Sequence, residues 1–198
     1  MLGKKSRSNP MAACWRDHHV VKLDHLRLQS LTRSDIRMMN AAGSDADAQR
    51  WLGWHKQIVI RESRCGSLLA KQPGRGRALA GIETQWHLIA VDLASGLLAG
   101  AVGGDLRDGT VGGWLAPQFR GRGLGAELFS GAAQFAHAHL GQERVLAGTE
   151  PANVPCIRAL LSAGFTPTAG PDAHRLPDGR VVPACWFHHP TDRPARCD

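Results

Sequence analysis
The chain has 198 residues, with 24 Lys and Arg against 17 Asp and Glu, a formal net charge of +7 and a 43% hydrophobic content. That is enough for one globular domain with a full core, and the basic balance fits an anionic partner. A membrane-spanning helix is excluded because no long apolar run exists, and nucleic acid is not expected as a partner because no stripe of Lys and Arg interleaves with aromatics.

The five cysteines, Cys14, Cys65, Cys156, Cys185 and Cys197, are odd in number and form no C-x-x-C. Neither a disulfide framework nor a zinc ribbon follows from them, and a reducing cytoplasm is the expected location. Residues 1–20 are polar and basic and read as a disordered tail. Their start lacks the apolar segment of a secretory signal, and Met11 is an alternative first residue. Residues 21–29 alternate apolar and polar through Val21, Leu23, Leu26 and Leu28, which predicts an opening strand. Thr32 or Ser34 is the predicted N-cap of a helix carrying Ile36, Met38 and Met39 and stopping at Gly43. Asp45 or Asp47 caps a second helix through Ala48, Trp51 and Leu52. From His55 to Gly81 the pattern is irregular: Ile58 to Ile60 reads as helix or strand, and 72–77 is a loop on either reading.

Regularity returns at Gln85. Residues 85–92, 97–102 and 110–116 predict three antiparallel strands with turns at 94–96 and 106–109, the second strand ending near Gly103 and Gly104. Leu124, Leu128, Ala132 and Phe135 then fall at helical spacing in a helix over 124–140. Gly131 inside it costs about 1 kcal/mol relative to Ala. A strand over 144–149, a helix over 153–163, a strand over 165–168, a hairpin-like excursion over 171–179 and a last strand over 181–188 follow. Residues 191–198 form a second tail.

Between the third strand of the meander and the long helix lies Gln118-Phe119-Arg120-Gly121-Arg122-Gly123-Leu124-Gly125. Three glycines in five positions let backbone approach a ligand closely, and a helix start with unpaired amides is an anion site. Arg120 and Arg122 add charge beside it. The loop lacks the Gly-Lys-Ser/Thr of a Walker A loop and the G-x-G-x-x-G of a dinucleotide fold. A pyrophosphate cradle or a plain tight turn both satisfy the local pattern.

Arg120-x-x-Gly123-x-Gly125 resembles the Arg/Gln-x-x-Gly-x-Gly/Ala signature of the GCN5-related N-acetyltransferase (GNAT) family. The preceding Gly113-Trp114-Leu115-Ala116-Pro117 resembles the matching strand of the branch that acetylates N-termini of ribosomal proteins. Thr149-Glu150-Pro151-Ala152-Asn153-Val154-Pro155-Cys156, followed by Leu160-Leu161-Ser162-Ala163-Gly164-Phe165, looks like the second CoA motif of the family. The resemblance covers residues 26–188 and is strongest over 84–165. It implies a single α/β (α+β) domain over residues 21–190, with a mixed, mostly antiparallel sheet flanked by helices. It also implies acetyl-CoA as co-substrate, with Trp114, Leu115, Ala116, Arg120, Gly121, Arg122, Gly123, Leu124, Gly125 and Asn153 as its binding residues. In the family the sheet splays between the strand before the loop and the strand after the long helix, the pantetheine arm lies in that V, and backbone amides, here those of 113–115, stabilise the thioester oxygen.

The implied reaction moves an acetyl group to a primary amine by direct attack, the amine being a protein or peptide N-terminus or a small-molecule amine. A Lys amine with a pKa near 10.4 needs a base, whereas an α-amino group near 8 merely profits from one. Glu150 is the candidate base; a helix-start carboxylate is an equal reading. Many family members protonate the leaving thiolate with a Tyr where this chain has Leu160, and this chain has no Tyr at all. Cys156 holds the position of a Ser that serves in the N-terminal acetyltransferase branch, so it is the candidate acid, with a buried small side chain as the alternative. Asn153 reads as a helix cap or a contact to the CoA arm. Trp51, Trp54 and Trp86 line an acceptor pocket or fill the core, and Arg61, Asp172 and His174 are further acceptor candidates. The histidine pairs His18-His19 and His188-His189, and the spacing of His137 and His139, make poor chelates, so no metal is expected. The partners expected are therefore acetyl-CoA and an amine acceptor, with no membrane; a homodimer is open. A GNAT-fold module that binds CoA without efficient turnover is the alternative function.

Overall fold
The computed structural model describes residues 19–32, 35, 45–53 and 84–191. The predicted helix over 36–43, the ambiguous stretch from 55 to 81, Arg61 and Trp54 lie outside these residues, as do both tails.

The alternation in the opening segment changes phase between Leu23 and Leu26, and a strand cannot change faces without a break. The structure places a turn there. Instead of one strand, β1 (Val20–Lys22) and β2 (Leu26–Ser30) form an antiparallel hairpin. After β2 the Thr32 amide and hydroxyl both donate to Asp35 Oδ2, at 2.7 and 2.6 Å. The second helix, α1 (Ala46–Leu52), is capped by Asp45, which accepts from the amides of Asp47 and Ala48. It ends at Gly53, whose φ of 63° is left-handed.

The meander follows as β3 (Gln85–Asp92), β4 (Leu98–Asp105) and β5 (Thr110–Leu115). β4 runs through Gly103 and Gly104 rather than ending at them. A Cβ on Gly104 would lie 2.8 Å from the Trp86 indole, so this glycine makes room for a ring inside the sheet. The long helix is α-helical over α2 (Leu124–Gln134) and closes with a π turn at Phe135–His139, where Leu140 N–H reaches Phe135 O. Gly131 sits where a Cβ would meet Leu23 and Leu28 at 2.7 Å, so the helix–hairpin approach offsets its propensity cost. Next come β6 (Arg144–Thr149), α3 (Val154–Ser162) and β7 (Thr166–Thr168). The predicted last strand is two strands, because Ala184 leaves the ladder to donate to Asp172 O. β8 (Ala173–Arg175) and β9 (Val181–Pro183) make a small hairpin, and β10 (Cys185–Pro190) returns to the main sheet.

The main sheet has the order β1-β2-β3-β4-β5-β6-β10-β7. All neighbours are antiparallel except β5 and β6, which are parallel and joined by one bridge, Thr110 to Leu146. Beyond it β6 continues with β10, and β5 continues with β4. The two strands therefore diverge, and the sheet opens as a V. The α2 helix packs across β2, β4 and β5, and α3 packs on α2. The core between them holds Leu28, Leu88, Ala90, Leu128, Phe135, Val145, Leu160 and Phe165. Among the described residues no helix is long and apolar enough to cross a membrane.

Candidate active site
The glycine loop begins where β5 leaves the sheet. Ala116 N–H still donates to Ala99 O at 2.8 Å, and Pro117 then opens a 3-10 turn over Pro117–Phe119. Phe119 is buried and pins the loop to the core, a contribution of about 1.5–3 kcal/mol. Gly121 and Gly123 have φ of 72° and 79°, which an L side chain rarely adopts. A Cβ on either would meet nothing within 4 Å, so the space over the loop is open. Gly125 acts differently: a Cβ there would lie 3.0 Å from Ala159 Cβ, so it sets the close approach of α2 to α3. Gly123 is the N-cap of α2, and no side chain caps this helix. The helix-start amides, those of Leu124 and Gly125 among them, are thus left for an anion. An open, uncapped cradle of this kind fits the pyrophosphate of CoA.

The two loop arginines part company. The Arg120 guanidinium donates to Leu115 O and, with both terminal nitrogens, to Asp45 at 2.9 Å. Its guanidinium is thereby paired with the cap of α1, a contact that the sequence pattern does not show. The salt bridge spans 75 residues, and nothing local in the sequence signals it. Arg122 is half-exposed, lies over the Phe119 ring at 5.5 Å, and reaches Asp92 Oδ1 only at 3.8 Å. Asp92 is held below the usual carboxylate range chiefly by the Ser95 hydroxyl, with Arg122 contributing, so it is a turn residue.

At the other wall of the V, Glu150 follows β6. Its backbone carbonyl accepts from Asn153 N–H at 2.9 Å. Its side chain does not cap α3; Asn153 does, its Oδ1 accepting from Cys156 N–H at 3.3 Å. Glu150 Oε1 is buried with no hydrogen-bond partner among the described residues. A carboxylate oxygen in that condition costs stability unless something is brought to it. Cys156 lies in the first turn of α3. Burial pushes its thiol up, a Thr149 hydrogen bond partly opposing, so the sulfur keeps its proton at neutral pH. Cys185, opposite Thr149 in the β6–β10 ladder, donates its thiol to Thr149 O at 3.3 Å. Sequence reasoning missed this second sulfur and Thr149 because the contact crosses between strands.

The acceptor candidates separate. Trp86 is 2% exposed and packs against Phe135 inside the core, so it lines no pocket. Trp51 is half-buried on α1, with the Arg50 guanidinium over its ring at 4.5 Å. The α1 helix meets the β8–β9 hairpin: Arg180 donates to Arg50 O at 2.6 Å, and Leu176 fills the space beside Gly53. Asp172 and His174 are exposed on that hairpin. Trp186, also missed, lies over Gly148 and Gly170 and donates to Pro171 O at 2.8 Å. His137 pairs not with His139 but with His189, at 3.1 Å. Among the described residues no group of three or more His, Cys, Asp or Glu is placed to hold a metal.

A model of the acetyltransferase (GNAT) domain family matches residues 25–166. No curated protein sequence matches significantly. Among solved structures, the ribosomal-protein-S5-alanine acetyltransferase of Vibrio fischeri superposes with a TM-score of 0.69 at 13% identity, covering 88% of this chain and 99% of its own. The spermidine N-acetyltransferase of Vibrio cholerae, with CoA and spermine, gives 0.65 at 14% identity over 83% and 94%. AAC(6')-Ib, an aminoglycoside acetyltransferase, with paromomycin and acetyl-CoA, gives 0.64 at 20% identity over 88% and 99%. At such identities the likeness is one of fold.

Proposed function
The chain belongs to the GNAT acetyltransferases, with acetyl-CoA as co-substrate, and we propose that it acetylates a singly charged primary amine, such as a protein or peptide N-terminus, by direct attack. The observation that carries this reading is the orphaned, buried oxygen of Glu150 at the end of β6, where the sheet opens.

When bound, acetyl-CoA supplies the acetyl thioester. The loop amides from Arg122 to Gly125, with Arg122 beside them, hold its phosphates. Backbone of 113–115 stabilises the charge that gathers on the thioester oxygen. Glu150 Oε1 takes a proton from the incoming ammonium. The Cys156 thiol, kept protonated by its burial, gives a proton to the departing sulfur. Asn153 fixes the turn that carries Cys156.

The charge of the acceptor wall supports a singly charged acceptor. Asp45 and Asp47 are taken by Arg120, and Asp178 is taken by Arg180 at 2.7 Å. Among the described carboxylates of α1 and the hairpin, Asp172 alone is outside these pairs, a thin supply for a polycation. The second reading, a CoA-binding module without turnover, draws on the absence of Tyr and on Leu160, which is fully buried in the core where family members use a Tyr. Transfer of labelled acetyl groups to panels of peptide N-termini, polyamines and aminoglycosides tests both. Labelled peptide is the expected result; label on the polycations alone overturns the acceptor, and CoA binding without transfer favours the module.

A further inference from the structure
Arg120 sits in the donor loop, yet its guanidinium is aimed at the acceptor half of the site. Nε donates to Leu115 O at 2.8 Å, the last carbonyl of β5. Nη1 and Nη2 meet the two oxygens of Asp45 at 2.9 Å each, a bidentate pair, and Nη1 lies 3.2 Å from Asp47 Oδ2. Asp45 is itself the cap of α1, its Oδ1 taking the amides of Asp47 and Ala48 at 3.1 and 3.2 Å. One planar group therefore joins the end of β5, the glycine loop and the first turn of α1.

The other end of α1 is tied to the β8–β9 hairpin through Arg180 and Leu176. A helix of seven residues does not hold itself together. Ala48 and Leu52 set it against the core, and among the described residues these two ties fix its ends and so the place of Trp51 on it. One tie leads to the acceptor wall and the other to the donor loop.

We infer that Arg120 is a positioning residue that couples the two halves of the site, so that filling the glycine loop steadies α1 and prepares the acceptor wall. The inference rests on the acetyl-CoA reading above. An anion held by the loop amides fixes the backbone that carries Arg120, and a bidentate pair transmits that restraint because its geometry tolerates little displacement. Linkage makes the effect reciprocal: an acceptor that engages α1 tightens donor binding by the same factor.

Hydrogen exchange of the full chain, with and without CoA as the probe, tests this in the wild type, Asp45→Asn and Arg120→Lys, with CoA affinity measured on the same samples by calorimetry. Asn caps helices as well as Asp does, so Asp45→Asn removes the charge and keeps the cap. Lys keeps the charge and loses the fork. In the wild type, CoA slows exchange severalfold across 46–52 and at the start of α2. In both variants the slowing at α2 remains and that at 46–52 is lost. A purely structural role would lower protection of α1 equally with and without CoA. Persistence of the CoA-dependent slowing at α1 in the variants overturns the inference. So does CoA binding to the wild type with unchanged or faster exchange there. Failure of CoA to bind the wild type at all is a different result: it removes the donor reading and the coupling with it.

Discussion
The two helices that follow the diverging strands begin in opposite ways. After β6, α3 is closed by Asn153, whose side chain takes the Cys156 amide. After β5, α2 starts at Gly123, in a left-handed conformation and with no side chain over its amides. A glycine cap costs only a few tenths of a kcal/mol relative to a polar one, so α2 gives up little stability by staying open. One helix start is finished by a side chain, and the other stays open. On the finished side the unsatisfied group is instead an acceptor, Glu150 Oε1. The V thus has an uncapped helix start on one wall and an unpartnered carboxylate oxygen on the other.

The largest effect is expected where the finished wall is incomplete. Glu150→Gln lowers turnover by about 10² and leaves acetyl-CoA affinity unchanged; full turnover in that variant would make the carboxylate a bystander. Next is the open start. Gly123→Val forces a β-branched residue to a φ of 79° and weakens acetyl-CoA binding by about tenfold or more, equivalent to 1.4 kcal/mol. Calorimetry reads the affinity, and a cooperative melt confirms that the rest of the domain is intact; undiminished affinity would erase the contrast between the helix starts. At the closed start, Asn153→Ala costs about 1 kcal/mol of stability. Asn153→Asp keeps the capping oxygen and loses the amide donor, so it retains the melting temperature while binding acetyl-CoA a few-fold less tightly. Equal affinity in the Asp variant would confine Asn153 to capping.

The smallest effect concerns acid. Burial raises the Asp45 carboxyl, but the hydrogen bonds from Arg120 and the α1 amides outweigh it and leave it lowered. A group depressed in the folded state contributes stability above its unfolded value, and that contribution fades as pH falls through the folded value. Melting temperatures of wild type and Asp45→Asn should therefore differ at neutral pH and converge below about pH 4. A gap that persists in acid would mean that the substitution acts through something other than charge.

Much of this frame was legible from local pattern. The strand over Gln85–Asp92 and that over Arg144–Thr149 have the bounds expected from alternation and turn residues. The family match bears out the two-motif resemblance around Arg120 and Asn153. What the pattern could not carry was pairing at a distance. Nothing near Arg120 in sequence announces its pair with Asp45, and Trp86 reads as pocket wall or core until its contact with Phe135 is seen. Cys185 gains meaning only from its register opposite Thr149. The break at Ala184 is set by Asp172, twelve residues earlier, across a hairpin whose short strands leave no periodic signal.

The single bridge between β5 and β6 also bears on how the chain reaches this structure. The meander β3–β4–β5 closes through short turns, whereas β6 finds its long partner only when β10 has been made, with Cys185 settling opposite Thr149 across 36 residues. Contacts separated by longer loops form later because closure entropy must be met first. The halves of the sheet share too little hydrogen bonding for one to template the other. Refolding followed by pulsed exchange should protect amides of 85–115 before those of 144–149 and 185–190, so that the cleft is the last feature of the domain to appear.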